Sequence, residues 1–330
     1  MSRTTRLVLF LVGAGLVTLL VWKSGPRVLI AGLRASAWVV AALIPLWTLV
    51  YLLNAIAWRM LTSEGGKPIP LPRAFVMTLV TFAVNYSTPL LSMGGEPLKV
   101  LAATPALGRA RAMGSVVAFR LLHALAHGIA FLAALVPAAV LLPHTAPVAG
   151  VLLSVGAVLV LLVTFLLSRH REGLAIHALG LLRRIPLLRR LAVRLEPRTA
   201  AFHEVDAHVT AIYTSAPRRF YAALGVEMVA RFFALSEYWV ILWGMGLGVN
   251  PWKAMVVASF SSLMVNLFVF LPFELGAKEG ALYLMFGWLG ITPALGLAAA
   301  LLSRLRELVA IAVGWALIWT VDQGARELRS

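Results

Sequence analysis

Cysteine is absent from the 330-residue chain, which excludes disulfide frameworks, thiolate metal sites and cysteine nucleophiles. Charge is scarce as well. Asp, Glu, Lys and Arg together make up 13% of the residues, too few to cover a water-facing surface, and 13 acidic residues stand against 29 basic ones. Neither a G-x-S-x-G nor a P-loop motif occurs, and Gly244-x-Gly246-x-Gly248 follows no strand, so nucleophile-elbow and nucleotide readings fail. His123 and His127 have metal-compatible spacing but enclose Ala-Leu-Ala, with no acidic third ligand. They read as polar helix contacts. No metal, no cofactor and no enzymatic activity are expected.

What fills the chain is apolar: 61% of residues are hydrophobic, and the mean hydropathy is +0.91. Apolar segments fall at 7–22, 37–58, 75–92, 115–142, 148–167, 220–245, 254–271, 281–290 and 294–320, several of them near the ~20 residues that span a bilayer. The pattern predicts an all-α polytopic membrane protein, a single transmembrane domain over residues 1–330 in which 7–22 is an uncleaved first span. Two stretches are interrupted. The first meets Pro89, Gly94, Gly95 and Pro97 and then a short apolar stretch broken by Pro105; the second meets Pro272, Gly276 and Gly280. Non-helical backbone survives at membrane depth only inside protein or beside a wet cavity. Each interruption therefore predicts a re-entrant, broken-helix hairpin.

The two stretches also match in order. Val84-Asn85, Pro89, Gly95-Glu96, Arg120 and Gly128 correspond to Val265-Asn266, Pro272, Glu279-Gly280, Arg304 and Gly314, giving repeats over about 74–128 and about 254–314. With an inside N-terminus, six full spans and two hairpins, 19 basic residues fall inside and four (Lys23, Arg27, Arg34 and Lys253) outside. The same bookkeeping opens the hairpins from opposite sides, an inverted repeat, and puts both termini in the cytoplasm. The basic loop at 168–219, with ten arginines, is also cytoplasmic. Its interspersed leucines suit short amphipathic helices on an anionic surface. No aromatic stacking pattern accompanies its arginines, so nucleic acid is not an expected partner.

Twelve charged side chains fall in or beside the apolar segments: Glu96, Lys99, Arg120, Glu227, Arg231, Glu237, Glu274, Lys278, Glu279, Arg304, Arg306 and Glu307. Such residues are costly in a bilayer and persist mostly for function or pairing. Gly94, Gly95 and Glu96 at the first break, Gly276, Lys278 and Glu279 at the second, and Arg120 and Arg304 in register behind them predict one polar substrate site. Helix starts and two arginines suit a phosphate headgroup. Glu227 and Arg231 have the spacing of an i,i+4 ion pair. Glu237 has no local partner and must meet a cavity or an arginine of another helix. These three are candidates for gating or proton coupling. Lys99, Arg306 and Glu307 also fit interfacial positions.

Pro272 to Gly280, read as P-F-E-L-G-A-K-E-G, with A-L-Y-L-M-F-G-W-L-G and L-L-S-R after it, resembles the flippase-like family named for the transmembrane region of lysylphosphatidylglycerol synthases. P-L-L-S-M-G-G-E-P-L-K at 89–99 and A-F-R-L-L-H at 118–123 are similar to its earlier signature. The resemblance runs from the first span to about residue 320. It implies an integral protein of the bacterial inner membrane that moves lipids between leaflets, in a single-domain form without the soluble aminoacyltransferase. Phe119, His123, Glu274 and Lys278 depart from residues common in the family. The expected substrate is an anionic phospholipid or a polyprenyl- or hopanoid-type lipid. A non-transporting membrane partner of a lipid-modifying enzyme is the alternative, and an intramembrane transferase using Glu and His is a third.

Overall fold

The computed structural model describes residues 37–62, 68–87, 94–169, 199–248, 250–268 and 274–327, with a few isolated positions before them. Among these there are ten helices and no strands: α1 Ala37–Leu61, α2 Leu71–Ser87, α3 Glu96–Leu107, α4 Arg109–Leu141, α5 Ala146–Arg169, α6 Thr199–Ser215, α7 Pro217–Gly244, α8 Pro251–Leu267, α9 Ala277–Trp288 and α10 Pro293–Glu327. The expected first span at 7–22, Pro89, Pro272, most of the arginine-rich loop and Arg329 lie outside the described residues.

Helices α1, α4 and α5 are long and apolar enough to cross a membrane. Helices α7 and α10, at 28 and 35 residues, match them in length but carry interior charges. By contrast, α3 and α9 have 12 residues each. At 1.5 Å per residue such a helix covers about 18 Å, well short of a ~30 Å hydrocarbon layer. Each follows a 17-residue helix and precedes one of 33 or 35 residues, so the order of lengths in α2–α3–α4 recurs in α8–α9–α10.

Local chemistry explains where these helices begin and end. Asn250 caps α8, its side-chain oxygen accepting from the N–H groups of Trp252 at 3.0 Å and Lys253 at 3.1 Å, with Pro251 in the first turn. The stretch after the first break is not interrupted at Pro105, as its sequence suggests. Helix α3 continues through it to Leu107 and stops at Gly108, whose φ of 76° leaves the helical region. A proline this near the C-terminus disturbs only the last turn.

Arg73 in the first turn of α2 donates to the carbonyl of Ala102, near the end of α3, at 2.9 Å. The two helices therefore run antiparallel, with the end of α3 beside the start of α2. Helix α1 lies along α7. The triplets interlock crosswise, α10 packing on α2 and α4 on α8.

Burial is inverted relative to a water-soluble protein. Leu153 is 75% exposed and Val140 73%, while Glu227 and Glu279 are fully buried. Hydrocarbon outside and polar groups inside account for both.

Close backbone approach sets the α2–α10 contact. A Cβ on Gly314 would stand 2.5 Å from the Ala83 Cβ and 2.6 Å from the Leu79 carbonyl oxygen, whereas one on Gly225 in α7 would meet nothing within 4 Å. Gly314→Ala is expected to destabilise the protein by ~1–3 kcal/mol through overpacking. Gly225→Ala should be neutral or stabilising by up to ~1 kcal/mol. Thermal unfolding in mild detergent compares the two; equal midpoints would remove the close-contact account.

Candidate functional site

The second break is the more tightly built. Gly276 adopts φ 84°, a left-handed conformation that glycine takes without strain, and α9 starts immediately after it. Glu279, at the third helical position, reaches back to accept from the Gly276 N–H at 2.9 Å. The same carboxylate grips Arg304 of α10 as a two-pronged pair, Nη2 to Oε2 at 2.9 Å and Nε to Oε1. Arg304 also donates to the Tyr86 hydroxyl at 2.8 Å and the Glu274 carbonyl at 3.1 Å. The Tyr86 hydroxyl in turn donates to Glu307 at 2.7 Å, and Lys278 donates to Glu307 and, at 3.3 Å, to Ser303. Thus α2 of the first triplet and α9 and α10 of the second share one network.

The first break is looser. The Gly95 N–H donates to the Asn85 side-chain oxygen at 2.7 Å, and the Asn85 amide donates to Glu96 at 3.3 Å. Glu96 pairs with Arg120 of α4 at 2.8 Å, with the Arg120 side chain 31% exposed. One turn into α3, Lys99 is buried over the rings of Trp58 and Phe119, 4.4 and 4.5 Å from their centroids. The N–H groups of Gly95 and Gly276, expected to face a ligand, are instead taken by Asn85 and Glu279.

A third group ties α7 to α1, α4 and α10. Glu227 meets His123 Nδ1 at 2.6 Å and Arg231 at 3.5 Å, and the Asn54 amide, turned with its NH2 toward the carboxylate, donates at 3.0 Å. Arg231 Nη1 reaches His127 Nε2 at 3.0 Å. Glu237 meets an arginine of another helix, Arg306, at 3.0 and 3.2 Å. Arg306 is buried, so it does not sit at an interface.

These groups surround a cavity of about 290 Å³ lined by Trp47 and Tyr51 of α1, Tyr86 of α2, Arg120, His123 and His127 of α4, Arg231 and Glu237 of α7, and Glu274, Lys278, Arg306 and Glu307. Among the residues predicted from sequence, Arg120, Arg231, Glu237 and Lys278 reach its wall. Gly94, Gly95, Glu96, Glu227, Gly276, Glu279 and Arg304 are not among its lining residues. Sequence reading did not single out Trp47, Tyr51, Asn54 or Tyr86. A polar Asn54 within an apolar run was the available signal; the aromatic residues gave none.

The geometry separates two ion pairs that look equivalent in sequence. Removing one partner of a buried pair strands a charge, at ~3–5 kcal/mol, while an exposed pair contributes ~1 kcal/mol or less. Glu279→Ala should destabilise by the larger amount and Glu96→Ala by roughly the smaller, read by chemical unfolding in detergent. Similar losses would show that the two breaks are equally locked.

No curated protein and no solved structure matches the chain. A family model described as the lysylphosphatidylglycerol synthase TM region matches residues 6–314. That is nearly the whole chain. Together with its long apolar helices, this match makes the protein a multi-pass membrane protein that belongs to the lysylphosphatidylglycerol synthase transmembrane-region family, a family of lipid metabolism or transport.

Proposed function

We propose that the protein is a flippase, a transporter that carries a lipid with an anionic, phosphate-bearing headgroup between the leaflets of a bacterial inner membrane. The observation that carries this reading is the cavity: a chamber of about 290 Å³ with charged and polar side chains in its wall, drawn from both helix triplets, inside a protein whose outer surface is apolar. A headgroup enters the chamber while its acyl chains stay among the exposed apolar side chains. Arg120 and Lys278 at the wall meet the phosphate, and Glu96 holds Arg120 when the chamber is empty. Glu279, Arg304 and the glycines at 94, 95 and 276 shape the two breaks. Glu227, Arg231 and Glu237 couple α7 to the chamber.

In this reading the two triplets are inverted repeats whose short helices enter from opposite sides, with six full spans and both termini cytoplasmic. Their shared order of helix lengths and crosswise packing support it.

Reconstitution into liposomes with labelled phosphatidylglycerol and a labelled neutral lipid, followed by a leaflet-accessibility assay with and without a proton gradient, tests transport. Wild-type protein should exchange the anionic lipid, and folded Arg120→Ala should lose about tenfold or more of that rate, since a charge-assisted contact contributes ~1.5–3 kcal/mol. Background exchange by wild-type protein, or full exchange by Arg120→Ala, would sink the proposal. The cysteine-free sequence also permits single-cysteine labelling in intact cells or oriented vesicles. Lys253→Cys should react from outside, and Arg109→Cys and Arg218→Cys only from inside. Reaction of positions 218 and 253 from the same side would reject this topology.

A further inference from the structure

The arginine with two unpartnered donor nitrogens among the described residues is Arg306, not one of the two that the sequence places in register. Arg306 of α10, 2% exposed, spends Nη2 on Glu237 and Glu307, while its Nε and Nη1 are buried with no hydrogen-bond partner among the described residues. Its guanidinium lies 3.7 Å from the centroid of the Trp47 ring. The Trp47 Nε1 is likewise buried and unpartnered. Tyr51, one turn further along α1 and 4% exposed, has its hydroxyl against the Arg306 guanidinium, which can only donate, so the phenolic proton is left without an acceptor among the described residues. The Trp47 and Tyr51 rings are 5.6 Å apart, and all three side chains line the same cavity.

Leaving a buried donor unsatisfied costs ~1–3 kcal/mol, so several at one spot are a standing debt unless something accepts from them. What accepts is constrained by what they offer. Arginine and tryptophan donate only, and the tyrosine hydroxyl can donate as well, so the partner is rich in acceptors and needs none of its own donors.

We propose that Arg306, Tyr51 and Trp47 form a phosphate-oxyanion subsite in the wall of the chamber. The inference rests on the chamber being a headgroup site. It adds Arg306 on α10 and two residues of α1, a helix outside both triplets, to Arg120 and Lys278 as groups that meet the phosphate. Glu237 holds the guanidinium in place through Nη2 and leaves Nη1 to the ligand.

The test measures affinity on the full chain in neutral detergent, by thermal stabilisation on titrating sodium phosphate or short-chain phosphatidylglycerol, with chloride at matched ionic strength as control. Tyr51→Phe keeps the ring and removes one unsatisfied donor. Arg306→Lys keeps a counter-charge for Glu237 but removes the planar fork. Each should weaken phosphate-dependent stabilisation by roughly tenfold in Kd, the effect of one charge-assisted hydrogen bond, and Tyr51→Phe should leave the ligand-free midpoint unchanged or higher. A lowered ligand-free midpoint for Tyr51→Phe with wild-type affinity, or no stabilisation of wild-type protein by either probe, overturns the subsite. Stabilisation by phosphatidylglycerol alone assigns it to a lipid headgroup; equal response to sodium phosphate assigns it to free phosphate. Phosphate affinity sensitive to Tyr51→Phe in a protein that exchanges no lipid would retain the subsite and remove transport, whereas lipid exchange with affinity indifferent to Tyr51→Phe would do the reverse.

Discussion

Charge neutrality in a medium that cannot solvate charge is the constraint on which this structure depends. Six basic and six acidic side chains stand in or beside the apolar segments, and the described helices are arranged so that carboxylates and cations find one another. Most of these partners come from different helices. Glu237 of α7 requires Arg306 of α10, Glu227 of α7 requires His123 of α4, and Arg304 of α10 requires Glu279 of α9. In water each such pair would be worth little; in hydrocarbon the unpaired alternative costs several kcal/mol. The ion pairs thus act as registers that fix how far each helix is rotated and slid against the next. Small residues supply the complementary condition, since Gly95 and Gly314 let backbones come within contact of α2.

The sequence carried the locations of the charges but only some of their partners. The helix breaks were legible because Gly and Pro act locally, and α3 and α9 begin where the text of the chain changes. The Glu227–Arg231 pair was legible because both sit on one helix face. That Glu237 must meet a cavity or a distant arginine followed from its having no neighbour of opposite charge; which arginine did not, because that depends on the azimuth of α10 about its axis. Adjacent Arg304, Arg306 and Glu307 illustrate the difficulty. One turn of α10 sends them to Glu279, Glu237 and Lys278 respectively, and nothing in L-L-S-R-L-R-E says which goes where. The aromatic contributors were invisible for a related reason. Trp47, Tyr51 and Tyr86 look like ordinary membrane-helix residues until their rings are found against a guanidinium or their hydroxyls between charges.

The resemblance between the two breaks hides a physical difference. At the second, Glu279 is both cap and counter-ion, so the start of α9 and the position of Arg304 are set by one carboxylate. At the first, the two tasks are divided: Asn85 satisfies the Gly95 N–H and Glu96 meets Arg120. Splitting them has a consequence for motion. Arg120 can leave Glu96 without uncapping α3, because Asn85 still holds the Gly95 amide. Arg304 cannot leave Glu279 without disturbing the carboxylate that caps α9 and breaking further contacts to Tyr86 and Glu274. Arg120 is also the more exposed of the two and lies on the cavity wall. The two breaks, alike in sequence, therefore differ in how the cap and the counter-ion are joined: one carboxylate at the second, two side chains at the first.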